Sequence, residues 1–266
     1  MQISQRVTTW HFPPGSLDSP LIIAHRGDLT SAPENTLPAF QHALAAGADG
    51  IELDVRLSSD GQLLVFHDRS LGRTCDGRGP VNHYSLAQLQ RLDVGSWFGG
   101  EYQGLNPPTL DEVFQAMPLD FLVNVEMKVI IKDMRTIALR VGETIGRYQR
   151  WESTLVASFN PVALYYLRRL YPRVARGYIW SKRHPFPIRS RFLSPLARPH
   201  WYDPAHESYN HRLHRKFHRR GHHLLAWDVD FDCDLKRMAE ARLDAVVTDR
   251  LDSLLAQKQQ LASQVT

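Results

Sequence analysis

The sequence has little cysteine and no long apolar run. Cys75 and Cys233 are the only cysteines among its 266 residues and lie far apart, so neither a disulfide framework nor a structural zinc site is expected. Without a run of about 18 apolar residues, a membrane-spanning helix of ordinary length is excluded. Met1–Trp10 has no basic-then-apolar signal pattern, which favours a cytoplasmic protein.

Acidic residues are scarce in one stretch of a chain whose net charge is +4. Between Lys182 and His223 the only acids are Asp203 and Glu207, among many lysines, arginines and histidines. Such a patch could bind an anionic substrate, a phosphate-rich surface or nucleic acid. A solvated helix face with its loops is the more common explanation.

Short apolar runs alternate with segments of helical periodicity, and this alternation predicts a parallel sheet. Eight such strands in a chain of this length favour an α/β fold, a (β/α)8 or TIM barrel, formed as a single domain over residues 1–266. Helix-capping patterns support this at Thr36, at Thr109 with Glu112, and at Asn160-Pro161. The predicted strands are Leu21–Ala24, Gly50–Val55, Phe121–Glu126, Thr154–Phe159, Val174–Trp180, His200–Tyr202, His223–Trp227 and Ala245–Thr248.

The segment 57–108 interrupts the alternation and is predicted to be an insertion over the barrel mouth. It opens with Asp60-Gly61 between two extended runs, which is a strong hairpin signal. Leu63–Phe66 is therefore expected to return antiparallel to the second strand instead of joining the barrel.

The length of the hairpin loop decides where His67 lies, because side chains alternate between the two faces of a strand. A two-residue loop pairs His67 with Asp54, and a four-residue loop pairs it with Glu52. Both registers place His67 on the face that the two acids share, whereas a three-residue loop places it on the opposite face. We expect one of the first two registers.

Charged residues stand where four of the apolar runs end. Ionised groups seldom occupy buried strand positions without a partner or a metal, because their dehydration costs several kcal/mol. In a barrel of this kind the carboxyl ends of the strands meet at one mouth, so one site is predicted there. The residues concerned are His25, Arg26, Glu52, Asp54, His67, Glu126 and Lys128.

The types of these residues indicate metal-assisted chemistry at phosphorus. Glu52, Asp54 and Glu126 are hard oxygen ligands that suit one divalent cation, Mg²⁺ or Ca²⁺. Two histidines can serve as general acid and general base, and two cationic side chains can hold an anionic oxygen. Each residue alone could have a purely structural role, such as a hydrogen-bonded core histidine or a charged residue at a solvated strand edge. A purely structural role would have to hold at four strand ends at once, which favours one functional site.

The ordered motifs resemble the glycerophosphodiester phosphodiesterase family, from about Leu21 to Leu254. The motifs that carry the resemblance are His25-Arg26-Gly27, Pro33-Glu34-Asn35-Thr36, Glu52-Leu53-Asp54, Phe66-His67-Asp68, Arg73-Thr74, Gly95-Ser96-Trp97-Phe98, Pro108-Thr109-Leu110, Val125-Glu126-Met127-Lys128, Ser158-Phe159, Trp227 and Thr248-Asp249.

The resemblance implies a TIM barrel that hydrolyses glycerophosphodiesters to glycerol 3-phosphate and an alcohol. It implies an acid–base pair of His25 and His67, and a divalent cation held by the three carboxylates. It also implies that Arg26 and Lys128 contact the phosphate. Phe159 and Trp227 would offer apolar surface to the glycerol or to the leaving alcohol.

Two regions depart from the family pattern. Asp228 and Asp230 stand where the family usually has threonine and asparagine; they would either tune metal and head-group preference or cap the next helix. The segment 181–199 mixes basic and aromatic residues, so a weak membrane-surface contact is a further possibility, and it would suit lysophospholipids. The alternative functions are therefore a lysophospholipase D, a phosphodiesterase that forms a cyclic phosphate, and, in another class, a basic barrel that binds nucleic acid.

Overall fold

Apolar runs buried on both faces form the barrel strands, as parallel strands covered by helices require. The computed structural model describes residues 20–183, 191–209, 211–229 and 243–263. The strands in chain order are β1 Leu21–His25, β2 Gly50–Leu57, β3 Leu63–Val65, β4 Ser70–Leu71, β5 Gly79–Pro80, β6 Leu122–Met127, β7 Thr154–Ser158, β8 Ala175–Trp180, β9 Trp201–Pro204, β10 His223–Ala226 and β11 Ala245–Thr248.

Eight of these strands close a parallel barrel, in the order β1-β2-β6-β7-β8-β9-β10-β11 and back to β1. The predicted TIM barrel is confirmed, with each of the eight strands at its expected place to within a few residues. The helices in chain order are α1 Leu37–Ala46, α2 Leu86–Leu89, α3 Leu110–Ala116, α4 Met134–Arg147, α5 Pro161–Leu170, α6 Ser194–Ala197, α7 His211–His218 and α8 Leu251–Ser263.

The helix starts follow the caps seen in the sequence. The Thr36 hydroxyl accepts a hydrogen bond from the Ala39 amide at the start of α1. Thr109 and Glu112 form a capping box at the start of α3, and Asn160 caps α5. Each cap satisfies amide groups that have no partner within the helix, so these boundaries were readable from sequence.

Apolar side chains form two layers of core. The inner layer fills the barrel below its mouth; the outer layer packs the strands against the helices. The inner layer consists of Leu21, Ile23, Leu122, Leu155, Ala175, Trp201, Leu225, Ala245 and Val247. Because this layer closes the barrel from below, polar groups above it face a cavity open at the mouth only.

The insertion between β2 and α3 packs on a small core of its own. Leu64, Phe66, Leu71, Val81, Leu89 and Val94 make up that core. As predicted, β3 returns antiparallel to β2, with Val55 paired to Val65.

The predicted hairpin register is wrong. The Ser58 amide donates to the Gln62 carbonyl at 3.0 Å, so the loop has three residues, 59–61. The Ser58 hydroxyl closes this loop by accepting from the Gln62 amide, and Gly61 adopts the left-handed conformation with φ of 72°. Three-residue hairpin loops place glycine at this left-handed position, and that preference decided the register.

Asp230 lies outside the described residues, as do residues 184–190 of the segment 181–199. Among the residues that are described, no helix is both long and apolar enough to cross a membrane.

Asp244 offers a test of fold stability away from the barrel mouth. Its carboxylate accepts hydrogen bonds from the Leu224 amide at 2.8 Å and from His218 at 2.9 Å. Burial alone would raise its pKa, but the bonds from His218 and His223 lower the pKa to about 2. A carboxyl with a lowered pKa stabilises the fold above its unfolded pKa of about 3.9 and loses that contribution as the pH falls.

Asp244→Asn is therefore expected to reduce the free energy of unfolding at pH 7 by about 2 kcal/mol. The deficit should shrink as the pH falls from about 4 towards 2, because the wild type loses the same interaction there. Urea unfolding at pH 7, 5, 4 and 3 measures it, with the exposed Glu152→Gln as control. A deficit that stays constant across these pH values would contradict the prediction.

Candidate active site

Three carboxylates from neighbouring strands meet at the barrel mouth. Glu52 and Asp54 lie two residues apart on β2 and so share one face, and Glu126 lies beside Asp54 in the register of β2 with β6. One oxygen of each lies within 4.8 Å of the others, and all three side chains are buried. The strand register alone therefore brings three anionic oxygens to one point.

Positive groups balance part of this negative charge. Lys128 Nζ lies 3.0 Å from Asp54 Oδ1 and 2.8 Å from Glu126 Oε1, and Arg26 Nε lies 3.3 Å from Asp54 Oδ2. Burial would raise the pKa of Asp54, but Lys128 and Arg26 lower it well below its usual range. Burial and the charge of Asp54 raise the pKa of Glu52 instead.

The donor set fits a divalent cation. Three carboxylates with no thiolate nearby match the oxygen ligands that Mg²⁺ and Ca²⁺ prefer. The three carboxylates carry one more charge than the two cationic side chains beside them supply, and burial together with the charge of Asp54 raises the pKa of Glu52. A bound cation would supply the missing positive charge.

Arg26 adopts the left-handed backbone conformation, with φ of 56°. For a residue other than glycine this costs roughly 1 to 2 kcal/mol. The conformation directs the Arg26 amide towards Glu52, at 3.3 Å, and the guanidinium towards Glu34, at 2.9 Å. Strain that is held in place by such contacts is typical of functional positions.

Asn35 fixes Asp54 from the loop after β1. Its side-chain amide donates to Asp54 Oδ2 at 2.8 Å, and its carbonyl oxygen accepts from the Asp54 amide at 3.1 Å. Asn35 is also left-handed, a conformation that asparagine tolerates better than most residues. The loop thereby holds the central carboxylate of the cluster in one orientation.

His25 ends β1 with its ring between two acids. Nδ1 lies 2.6 Å from Asp249, which follows β11, and Nε2 lies 3.9 Å from Glu52. Burial would lower the pKa of His25, but the hydrogen bond with Asp249 and the charge of Glu52 raise it to about 9. Asp249 thus orients the ring so that Nε2 faces the carboxylates.

His67 reaches the same pocket from the insertion. If β3 continued to His67, the observed pairing of β2 with β3 would turn the His67 side chain away from the pocket. However, β3 ends at Val65, so the alternation of side chains along the strand does not extend to His67. Arg56 Nε, on β2, donates to the His67 carbonyl at 2.8 Å and holds the departing chain. His67 Nδ1 lies 2.6 Å from Asp68, so this ring too is oriented by an aspartate.

A chain of ion pairs joins the insertion to the loop after β1. Asp68 accepts from Arg73 at 2.7 Å, Arg73 donates to both oxygens of Glu34, and Glu34 also accepts from Arg26.

The pKa of His67 is lower than that of a free imidazole. Burial lowers this pKa most; the charge of Asp54 opposes the shift, and the charges of Lys128 and Arg26 lower the pKa further.

The remaining wall of the pocket is aromatic and apolar. The rings of Phe159 and Trp227 meet edge to face with centroids 5.7 Å apart. The pocket has a volume of about 290 Å³. Asp228 lies at its rim, 3.7 Å from His25 Nδ1 and 42% exposed.

The structure brings the nine residues singled out in the sequence to one pocket and its wall. Sequence reasoning gave no role to Glu34, Asn35, Asp68, Arg73 and Asp249, although all five belong to quoted motifs. It also gave no role to Asp203, which directly follows the predicted strand His200–Tyr202 and lies on β9 in the structure. The signal was the same as at the other strand ends, but the predicted strand has only three residues.

Comparisons with known proteins agree with this geometry. The model of the glycerophosphoryl diester phosphodiesterase family matches residues 25–253. A glycerophosphodiester phosphodiesterase of Caldanaerobacter subterraneus subsp. tengcongensis is 35% identical over 238 residues, which cover 88% of this chain and 96% of the relative. A putative glycerophosphodiester phosphodiesterase of Bacillus subtilis is 31% identical, over 88% of this chain and 96% of its own length.

Among solved structures, a phosphodiesterase of Oleispira antarctica in complex with the product sn-glycerol-3-phosphate superposes with a TM-score of 0.80. It is 32% identical, and the match covers 91% of this chain and 97% of that one. The barrel and its relatives define a phosphoric diester hydrolase. The chain belongs to the glycerophosphoryl diester phosphodiesterase family.

If the acidic cluster binds a cation, removing one ligand should weaken binding without unfolding the protein. Glu126→Gln is expected to raise the Kd for Mg²⁺ and Ca²⁺ at least about tenfold, because a neutral amide replaces an anionic ligand. Isothermal titration calorimetry measures it. Glu207→Gln, a carboxylate at the same mouth but outside the cluster, is the matched control, and equal Kd values in both variants would remove Glu126 from the site.

Proposed function

We propose that the protein hydrolyses glycerophosphodiesters to glycerol 3-phosphate and an alcohol, with one divalent cation, Mg²⁺ or Ca²⁺, held by Glu52, Asp54 and Glu126. The observation that carries the proposal is the pairing of this carboxylate cluster with two imidazoles in one pocket. When bound, the cation would supply positive charge against the phosphoryl oxygens. Everything else in the reaction falls to side chains of the chain itself.

The two histidines are the proposed acid and base. Each has Nδ1 within 2.6 Å of an aspartate, Asp249 for His25 and Asp68 for His67. This leaves Nε2 of each ring to exchange a proton with substrate. One imidazole takes a proton from the attacking water as its oxygen bonds to phosphorus, the phosphorus–oxygen bond to the alcohol breaks, and the other imidazole protonates the departing alkoxide.

Arg26 and Lys128 are the proposed phosphate contacts. Both side chains line the pocket, and each forms an ion pair with Asp54. Their charges therefore lie beside the proposed cation position. Fixed positive charge of this kind lowers the barrier of transfer at phosphorus. Phe159 and Trp227 would pack against the carbon atoms of the glycerol or of the leaving alcohol.

Several assignments stay predictions from the sequence. They are a single domain over residues 1–266, a cytoplasmic location, the absence of nucleic-acid binding, and a weak membrane contact through residues 181–199. In that segment Phe192 is 71% exposed, while the Arg191 guanidinium lies over the Trp180 ring at 4.2 Å. Action on lysophospholipids or formation of a cyclic phosphate remains the alternative, and phosphorus NMR of the first product separates it from direct hydrolysis.

Release of glycerol 3-phosphate from glycerophosphocholine tests the proposal. We expect activity with Mg²⁺ or Ca²⁺, loss of activity with chelator, and a fall in kcat of roughly 10²- to 10⁴-fold in His25→Ala and in His67→Ala. His42→Ala, on the outer helix α1, is the control and should retain activity. Activity that survives both active-site substitutions would contradict the assigned roles.

The hydrogen bond between Asp249 and His25 gives a second, finer test. Asp249→Asn should lower kcat about tenfold or more and leave the Kd for the cation within about twofold, because Asp249 orients His25 and is no ligand. Asp228→Asn, whose carboxylate lies farther from the same nitrogen, is the matched control. Equal losses in the two variants would show that the charge near His25 matters and its orientation does not.

A further inference from the structure

One buried acid of the pocket takes no part in the chemistry described above. Asp203 lies on β9, is 1% exposed and lines the pocket. Neither of its carboxyl oxygens has a hydrogen-bond partner among the residues that the structure describes. A buried carboxyl without a partner destabilises the fold, so its presence at this position calls for a ligand.

The barrel interior makes room for this carboxyl. A Cβ atom on Gly177, in the neighbouring strand β8, would lie 2.3 Å from Asp203 Oδ2. It would also lie 3.2 Å from the Cβ of Ala157, on the strand beyond. Two small residues in adjacent strands thus leave the space into which the Asp203 side chain extends.

The surroundings of Asp203 are apolar. Ile179 on β8 is its register partner, and Leu225 on β10 lies at the same level on the other side. Burial raises the pKa of Asp203 well above its usual value, and the charge of Glu126 raises it further. Among the described residues, no cationic side chain lies near enough to Asp203 to form an ion pair.

This environment suits a hydroxyl group. A carboxyl accepts hydrogen bonds in either protonation state and also donates one when protonated, and a hydroxyl can do both in return. Asp203 is not among the three carboxylates that could share a cation within the described chain. The indole of Trp227 donates to the backbone carbonyl of Asp203 at 2.8 Å, and both residues line the same pocket, so an apolar ring shares the pocket with the carboxyl.

The position within the barrel indicates which part of a substrate lies there. Leaving alcohols differ in size between diesters and need the open mouth, whereas the glycerol unit is constant and fits an enclosed floor. A small polyol has both the hydroxyls for Asp203 and the carbon atoms for Trp227. The two residues together therefore match the retained glycerol unit.

We propose that Asp203 is a specificity-determining residue that binds a hydroxyl group of the glycerol unit of the substrate. This inference rests on the proposed function. Its role is recognition alone: proton transfer and cation binding stay with the residues assigned above.

Product inhibition tests the proposal without requiring that a poor substrate turn over. The inhibition constants of glycerol 3-phosphate, propane-1,2-diol 1-phosphate and propane-1,3-diol 1-phosphate are compared, since each analogue lacks one hydroxyl. We expect the wild type to prefer glycerol 3-phosphate over one analogue by about 10- to 100-fold, because loss of that hydroxyl leaves Asp203 unpaired. Asp203→Leu should abolish this preference, and Asp203→Asn should reduce it less.

Ile179→Val, at the same level of the pocket, is the matched control and should keep the preference. If Asp203→Leu does not fold, the comparison of Asp203→Asn with this control decides. A preference that persists without the carboxyl, or an equal loss of affinity for all three compounds, would overturn the proposal. So would a changed cation stoichiometry in Asp203→Asn, which would make Asp203 a metal ligand.

A wild type that releases no glycerol 3-phosphate from any diester would refute the proposed function itself. A wild type that is active but prefers neither hydroxyl would refute only the role of Asp203. Preference that instead follows the leaving group, choline against ethanolamine, would place an ammonium at Asp203 and would also refute the hydroxyl proposal.

Discussion

The burial of Asp54 is the constraint on which the rest of the site depends. A carboxylate removed from water in this way costs several kcal/mol unless charges and hydrogen bonds replace its hydration. Asn35 and Arg26, both on the loop after β1, and Lys128, directly after β6, supply that replacement. Because all three converge on one side chain, the loop after β1 and the strands β2 and β6 must keep their mutual positions for any of them to be satisfied.

The barrel and its loops divide the work of building the site. Strand register alone places the three carboxylates, and strands are rigid enough to hold ligands at fixed separations. The histidines stand at the edges of this frame, one at the end of β1 and one on the insertion, and each is oriented by an aspartate from a different loop. The proposed acid and base thus stand at the margin of the frame, and the proposed cation ligands lie within it.

Much of this arrangement was legible in the sequence. The strands were recognisable because apolar runs buried on both faces have no polar interruptions, so Glu52, Asp54 and Glu126 stood out as exceptions. His67 was assigned to the right pocket by the wrong route. Its register depends on the left-handed preference of Gly61, and its final position on the bond from Arg56, which joins residues that no local pattern connects.

The residues to which the sequence gave no role escaped attention for two reasons. Asp249 directly follows β11 and Asp203 lies on β9; both strands are short and have brief apolar patterns, so these positions carried less weight. Glu34 and Arg73 are 39 residues apart and meet only when the insertion folds over the loop after β1. Pairings of that kind follow from tertiary contact, and one sequence without relatives beside it holds no sign of them.

Glu34 is shared between two arginines, Arg26 of the barrel and Arg73 of the insertion. The insertion and the loop after β1 are therefore coupled by specific ion pairs, and neither is structurally independent of the other. A chimera that exchanges only the insertion between relatives would separate Arg73 from its own Glu34. The contacts that position Asp68, and through it the ring of His67, would then depend on a loop from another protein. The exchangeable unit for protein engineering is therefore discontinuous: the loop after β1 has to travel with the insertion.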